Sequence, residues 1–196
     1  GEVMASAIWS NAGAQAGDEL FLTKALGTGI ISTAVKFERA PAEAAAAAIR
    51  SMITLNRLAA EALQSLPAGV IHACTDVTGF GLIGHASEIS AASGCTLEIE
   101  ASAVPLLTGV LALVHGNVPG GGRTNTQHFG GDARISQDID PDRVQLFYDP
   151  QTSGGLLVAV DGARAGQAAN ALHAAGVPAA RIGRVLPPTG ARVTVR

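Results

Sequence analysis

The chain has 196 residues and a formal net charge of -3 with no run of Lys or Arg, long enough for one core that buries roughly 70% of the surface an unfolded chain exposes. Basic and aromatic side chains do not cluster as a nucleic-acid backbone requires, and no apolar stretch approaches the length of a bilayer span, which argues against both partners. Hydrophobic residues make up 47% of the chain but Trp and Tyr occur once each, so the core has to be built from Ala, Val, Leu and Ile.

In chain order, residues 18–24 read as a short strand, and the Gly27-Thr28-Gly29 turn hands over to a helical segment ending near Phe37. Pro41 sits where a first helical turn tolerates it. The run PAEAAAAAIRSMITLNRLAAEAL predicts one continuous helix over residues 41–63, with Ile49, Met52, Ile53, Ala60 and Leu63 on the buried side. Residues 70–74 form an apolar run suited to a buried strand. A polar, glycine-rich turn over 75–81 follows, then a helix over 82–92 that stops before Gly94.

Residues 96–100 are the next strand, and 104–114 a helix behind the possible cap Ser102. Residues 116–142 are punctuated by Gly120, Gly121, Gly122, Gly130 and Gly131 and lack periodicity, which predicts a long loop, either bland surface or a binding segment. A turn at 149–153, a strand at 155–160, a helix at 162–175 and strands near 182–186 and 192–195 complete the chain. Helices alternate with strands, some strands follow each other directly, and the expected class is α/β or α+β with a mixed sheet covered by helices.

Residues 1–17 lack the basic start and apolar run of a secretory signal. Cys74 and Cys95 show no CxxC spacing, so free thiols in a reducing, cytoplasmic compartment are expected. The chain opens Gly-Glu-Val instead of with Met, so either a processed chain or a fragment is expected.

Gly79-Phe80-Gly81-Leu82-Ile83-Gly84 satisfies GxGxxG between a strand and a helix, and Glu98 or Glu100 follows where a ribose-binding acid would lie. Against a dinucleotide site, Thr75-Asp76-Val77-Thr78 intervenes, and Asp76 would repel a pyrophosphate unless a cation stood between them. With Mg²⁺ in place the same carboxylate favours a nucleotide, since it can hold one face of the ion while waters and phosphate oxygens fill the rest. The plainer alternative is that Thr75, Asp76 or Thr78 caps the following helix. His85 reads as a packed or hydrogen-bonded histidine before it reads as a base, and Lys24 as a solvated lysine before a phosphate ligand.

ACTDVTGFGLIGHASEI, residues 73–89, and YDPQTSGGLLVAV, residues 148–160, closely resemble the two carboxy-terminal signatures of selenophosphate synthetases. GDELFLTKALGTGI, residues 17–30, is similar to the opening of that family's second domain. VPGGGRTN, residues 118–125, resembles its VPGGTxxN segment, with Gly122 where Thr is usual. The first string alone also resembles the wider superfamily that includes aminoimidazole ribonucleotide (AIR) synthetase, whereas the second signature and the VPGG segment favour the selenium enzyme.

The resemblance implies a two-domain enzyme that converts ATP, selenide and water to selenophosphate, AMP and orthophosphate. Residues 1–16 would be an interdomain remnant and 17–196 the carboxy-terminal domain, similar to that of AIR synthetase. An absent amino-terminal domain would supply most of the ATP site, the reactive Cys or selenocysteine and an essential Lys. Asp76 would be the Mg²⁺ ligand, and Thr75, Thr78, Gly79, Asp149, Gln151, Thr152 and Ser153 would border the nucleotide; for Asp149 the competing reading is a turn former before Pro150. The partners implied are the amino-terminal domain, ATP, selenide and a second copy in a homodimer, and the chain alone is expected to be inactive. An AIR-synthetase-like purine enzyme and a non-catalytic scaffold domain are the alternatives.

Overall fold

In the computed structural model, residues 8–196 are described; the first seven residues of the expected interdomain remnant lie outside the described residues. Strands β1 (Glu19–Leu22), β2 (Ile71–Asp76), β3 (Thr96–Ile99), β4 (Ala133–Ile135), β5 (Leu156–Val160), β6 (Ala180–Leu186) and β7 (Val193–Val195) form one sheet in the order β2-β5-β1-β6-β3-β7-β4. The pairs from β2 through β3 are antiparallel, while β3-β7 and β7-β4 are parallel, so the sheet is mixed as expected.

Period-two alternation decides which helix meets which face. Leu20, Leu22, Leu157 and Ala159 point to a core shared with Leu82, Ile83, Ala86 and Ile89 of α4 (Gly81–Ser93). Their neighbours Phe21, Val158 and Val160 pack on the other face against α3 (Arg57–Gln64) and α7 (Ala165–Ala174). A third cluster joins α1 (Thr28–Lys36), α2 (Ala42–Ile53) and Leu146 of α6 (Pro141–Phe147) to the segment around Val110. Beyond β1 the second face carries a cross-strand row in which Arg184 registers with Glu19 and Glu98, and Thr194 with Glu98 and Arg134. Ion pairs Arg184–Glu98 at 2.8 Å and Arg181–Glu19 at 2.8 Å lie on it.

Three expectations are corrected. The helix over 41–63 is two helices, because Thr54 turns extended and the Lys24 ammonium takes the carbonyls of Ser51 and Thr54 at 3.2 and 2.5 Å, where a continuing helix would have used them. Ile49 and Ile53 are consequently exposed, at 54% and 72%, while Ala44 and Ala48 face inward. Residues 104–114 are not an α-helix: Leu26 and Leu107 donate their amides to Pro105 O and Leu26 O, committing that backbone to the β1–α1 connection, and only Leu111–Leu113 makes a single 3₁₀ turn. Within 116–142 stands a ten-residue helix, α5 (Gly120–Phe129), followed by β4 and the start of α6, whose Asp140 caps the Asp142 amide at 2.8 Å ahead of Pro141. α4 ends where expected, at Gly94, whose φ of 64° places it in the left-handed region.

Candidate functional site

Strand β2 is an edge strand, and Asp76 is its last residue, exposed, opposite Leu156 of β5. Beyond it the chain makes a turn whose amides and carbonyls are held from outside. Val77 donates its amide to Gly155 O at 2.8 Å, and Thr78 O accepts from Gly81 N at 3.1 Å and Gln151 N at 2.9 Å. Thr78 Oγ1 meets His85 Nε2 at 3.2 Å, and His85 Nδ1 meets Glu88 at 3.0 Å, so His85 is a buried, hydrogen-bonded histidine. Neither Thr75 nor Thr78 caps α4 with its side chain. Asp76, Gly79 and Phe80 are exposed, while Thr75 and Thr78 are half-buried.

The second signature turn lies directly against the first. Gly154 allows this approach: a Cβ there would stand 2.0 Å from Val77 O. Thr152 and Ser153 are exposed on the turn, with Ser153 at φ 51° and its carbonyl gripped by Lys24 Nζ at 2.7 Å. Lys24 is therefore buried, neither solvated nor free for a phosphate, and burial holds its pKa below the usual lysine value.

Asp149 and Gln151, expected to border the nucleotide, are turned inward at 1% and 4% exposure. Gln151 Oε1 accepts from Gly27 N, Thr28 N and Thr28 Oγ1 at 3.0 to 3.2 Å, and its Nε2 donates to Asp149 O and Oδ2. Asp149 Oδ2 accepts the Gly29 amide at 3.0 Å, leaving Oδ1 buried without a hydrogen bond. Burial pushes this carboxyl up to about 7, against the pull of the amides of Ile30 and Gly29 and of Gln151. Both side chains thus bind the start of α1 and support the turn from beneath.

Sequence reasoning quoted Asn125 within a motif but assigned it no role. It is 6% exposed, and its Nδ2 donates to Gly79 O at 2.8 Å and Tyr148 O at 3.0 Å, bridging the two signature turns. The signal available was its place at the last position of the segment resembling VPGGTxxN, in a stretch otherwise devoid of periodicity.

The dinucleotide alternative fails on topology. β2 and β3 flank α4 in sequence but stand apart in the sheet, separated by β5, β1 and β6, so they are not the adjacent parallel strands of a βαβ unit. Gly81 and Gly84 serve packing: a Cβ at Gly81 would meet Tyr148 C at 2.8 Å, and one at Gly84 the Phe129 ring at 2.8 Å.

An open cleft of about 500 Å³ runs past Asp76, lined by Trp9, Asn11, Cys74, Thr75 and Leu156. The single outward carboxylate suits Mg²⁺, which keeps waters and substrate phosphates in most of its positions. Among the described residues no group of three or more His, Cys, Asp or Glu side chains could enclose a metal, so the donor set fits one corner of a metal–phosphate site. No described helix is long and apolar enough to cross a membrane.

The chain is 47% identical over 163 residues to a selenide, water dikinase of Trichlorobacter lovleyi, covering 82% of this chain and 45% of that protein. With a selenide, water dikinase of Myxococcus xanthus it shares 43% identity over 187 residues, 94% of this chain and 53% of the relative. It therefore spans about half the length of the curated relatives it matches. A thiamine-monophosphate kinase structure from Stenotrophomonas maltophilia shares the fold at a TM-score of 0.69, with 16% identity, covering 98% of this chain and 54% of that one. Residues 15–196 match the model of AIR synthase related protein, C-terminal domain, and the chain belongs to that family.

Proposed function

We propose that this chain is the carboxy-terminal half of an ATP-dependent enzyme that makes selenophosphate from selenide, ATP and water, releasing AMP and orthophosphate. The observation that carries it is the exposed Asp76 carboxylate at the end of β2, beside a turn whose backbone is held on two sides. The names and the identity of the curated relatives support the substrate assignment.

Asp76 would hold Mg²⁺, which when bound neutralises charge on the nucleotide phosphates. Thr75, Thr78 and Gly79 shape the loop around that carboxylate, and the exposed Thr152 and Ser153 border the same edge. A single carboxylate leaves most of the ion's coordination to other groups, so further ligands come from the amino-terminal half of the same protein. In the cell the working unit under this proposal is a cytoplasmic homodimer of the full-length chain.

Asp76→Asn in the full-length protein is expected to abolish selenophosphate formation with the fold intact; near-normal activity would return Asp76 to a structural role. Nucleotide product separates the purine-enzyme alternative, since only the dikinase releases AMP. Calorimetric titration of this chain alone with Mg-ATP is expected to show negligible binding, and tight binding would refute the divided site.

A further inference from the structure

We infer that Asn125 is a positioning residue for the metal-binding turn, an inference that rests on the function proposed above. Its one amide nitrogen spends both protons on main-chain carbonyls, Gly79 O and Tyr148 O, that lie 46 and 23 residues away in the chain. Gly79 is three residues past Asp76, and Tyr148 precedes Asp149 in the turn whose Gln151 amide holds Thr78 O. Asn125 therefore sets the spacing between the two turns from a third element, α5. It does not line the cleft past Asp76 and acts through the Gly79 carbonyl.

α5 is built to deliver this one group. Its buried residues are Gly122, Asn125 and Phe129, and Phe129 packs on Phe80 with ring centroids 5.5 Å apart, so the helix grips both ends of the residue 79–80 segment. Groups that orient a metal ligand from behind typically change metal affinity or activity by about 10- to 100-fold when removed.

The test compares Asn125→Ala, Asn125→Asp and Leu172→Ala in the full-length protein, with Asp76→Asn alongside. Asn125→Asp keeps the side chain's shape but points an acceptor at two carbonyl oxygens. A donor role makes it the worse substitution, whereas a space-filling role makes it the milder one. The Mg²⁺ concentration for half-maximal activity is expected to rise about tenfold in Asn125→Ala and further in Asn125→Asp. It should hold within about twofold in Leu172→Ala, which loosens α7 on the opposite sheet face. In this chain alone, Asn125→Ala should speed amide exchange at Gln151, which donates to Thr78 O, by about tenfold or more and leave Val158 in the β2–β5 ladder unchanged.

An unchanged Mg²⁺ requirement in both Asn125 variants, a milder effect for Asp than for Ala, or an equal rise in Leu172→Ala overturns the inference. Unchanged exchange at Gln151 overturns the tether itself. Activity retained by Asp76→Asn instead removes the metal reading and the functional half of the inference with it.

Discussion

Asp149 and Gly29, 120 residues apart in the chain, are in such close contact that a Cβ on Gly29 would stand 2.5 Å from Asp149 Oδ1, while Oδ2 accepts the Gly29 amide at 3.0 Å. The carboxyl closes the amino-terminal end of α1 from a distant turn, and burial lifts its pKa from 3.8 to about 7. The folded state then holds a proton that the unfolded chain has released. Stability contributed at this site is therefore greatest below about pH 4 and falls as pH rises toward 7. Asp149→Asn should flatten that dependence: measured by urea denaturation, its stability relative to the parent should improve between pH 4 and 7, by at most about 1.4 kcal/mol per pH unit. A relative stability constant across this range would count against a buried proton at Asp149.

Gly154→Ala should be costly, although glycine-to-alanine changes at relaxed positions are mild. The new methyl would sit 2.0 Å from Val77 O and 3.0 Å from Gln151 Cβ, and both neighbours are held in place, Val77 by the hydrogen bond its amide donates to Gly155 O and Gln151 by the start of α1. A loss of about 1–3 kcal/mol in denaturant unfolding is expected, as for other overpacked sites. Under the proposed function, activity of the full-length protein should fall by more than the unfolded fraction explains, because the displaced carbonyl adjoins Asp76.

What the sequence disclosed and what it hid follow from the same physics. β5 and the β2–turn–α4 unit were legible because apolar runs bounded by glycine and polar turns have few alternative readings. α5 was hidden because, of its ten residues, only Phe129 is a large apolar one, and its buried face is otherwise Gly122 and Asn125, so no helical periodicity is written there. The break between α2 and α3 was hidden because it depends on Lys24, a residue about 30 positions upstream whose destination no local pattern states. Asp149 and Gln151 were grouped correctly into one turn with Thr152 and Ser153, but whether a polar side chain in a turn faces in or out is decided by what packs beneath it, here the amides of residues 27–29.

Lys24→Met keeps most of the buried stem and removes the ammonium. Three carbonyls, those of Ser51, Thr54 and Ser153, then lose a charged donor. The expected loss is about 1.5–3 kcal/mol, in the range of hydrogen bonds to charged groups. Limited proteolysis should find the new weakness at residues 54–56, between α2 and α3, before it appears elsewhere. Cleavage unchanged there would mean that packing alone fixes the break.

Cys74 offers a reporter of the Asp76 charge that needs no activity assay. Burial, and after it the neighbouring Asp76 carboxylate, push the Cys74 thiol up to about 12. Thiolate is the reacting species, so at pH 8 alkylation of Cys74 should run about 10²-fold slower than that of an unhindered cysteine with a pKa near 8.5, the scarcity of thiolate outweighing its greater nucleophilicity. Peptide mapping by mass spectrometry separates it from Cys95, whose thiol is also raised, chiefly by burial. Asp76→Asn removes one of the two causes at Cys74 and should accelerate its alkylation severalfold while leaving Cys95 as it was. Under the proposed function, a divalent cation held by Asp76 in the full-length protein would act on the thiol in the same direction, since it would cancel the carboxylate's charge. Mg²⁺ with a non-hydrolysable ATP analogue should therefore change the reaction rate of Cys74, and Asp76→Asn should abolish that response. A Cys74 rate indifferent to both the substitution and the cation would count against a charged Asp76 acting on the thiol and against a cation held beside it.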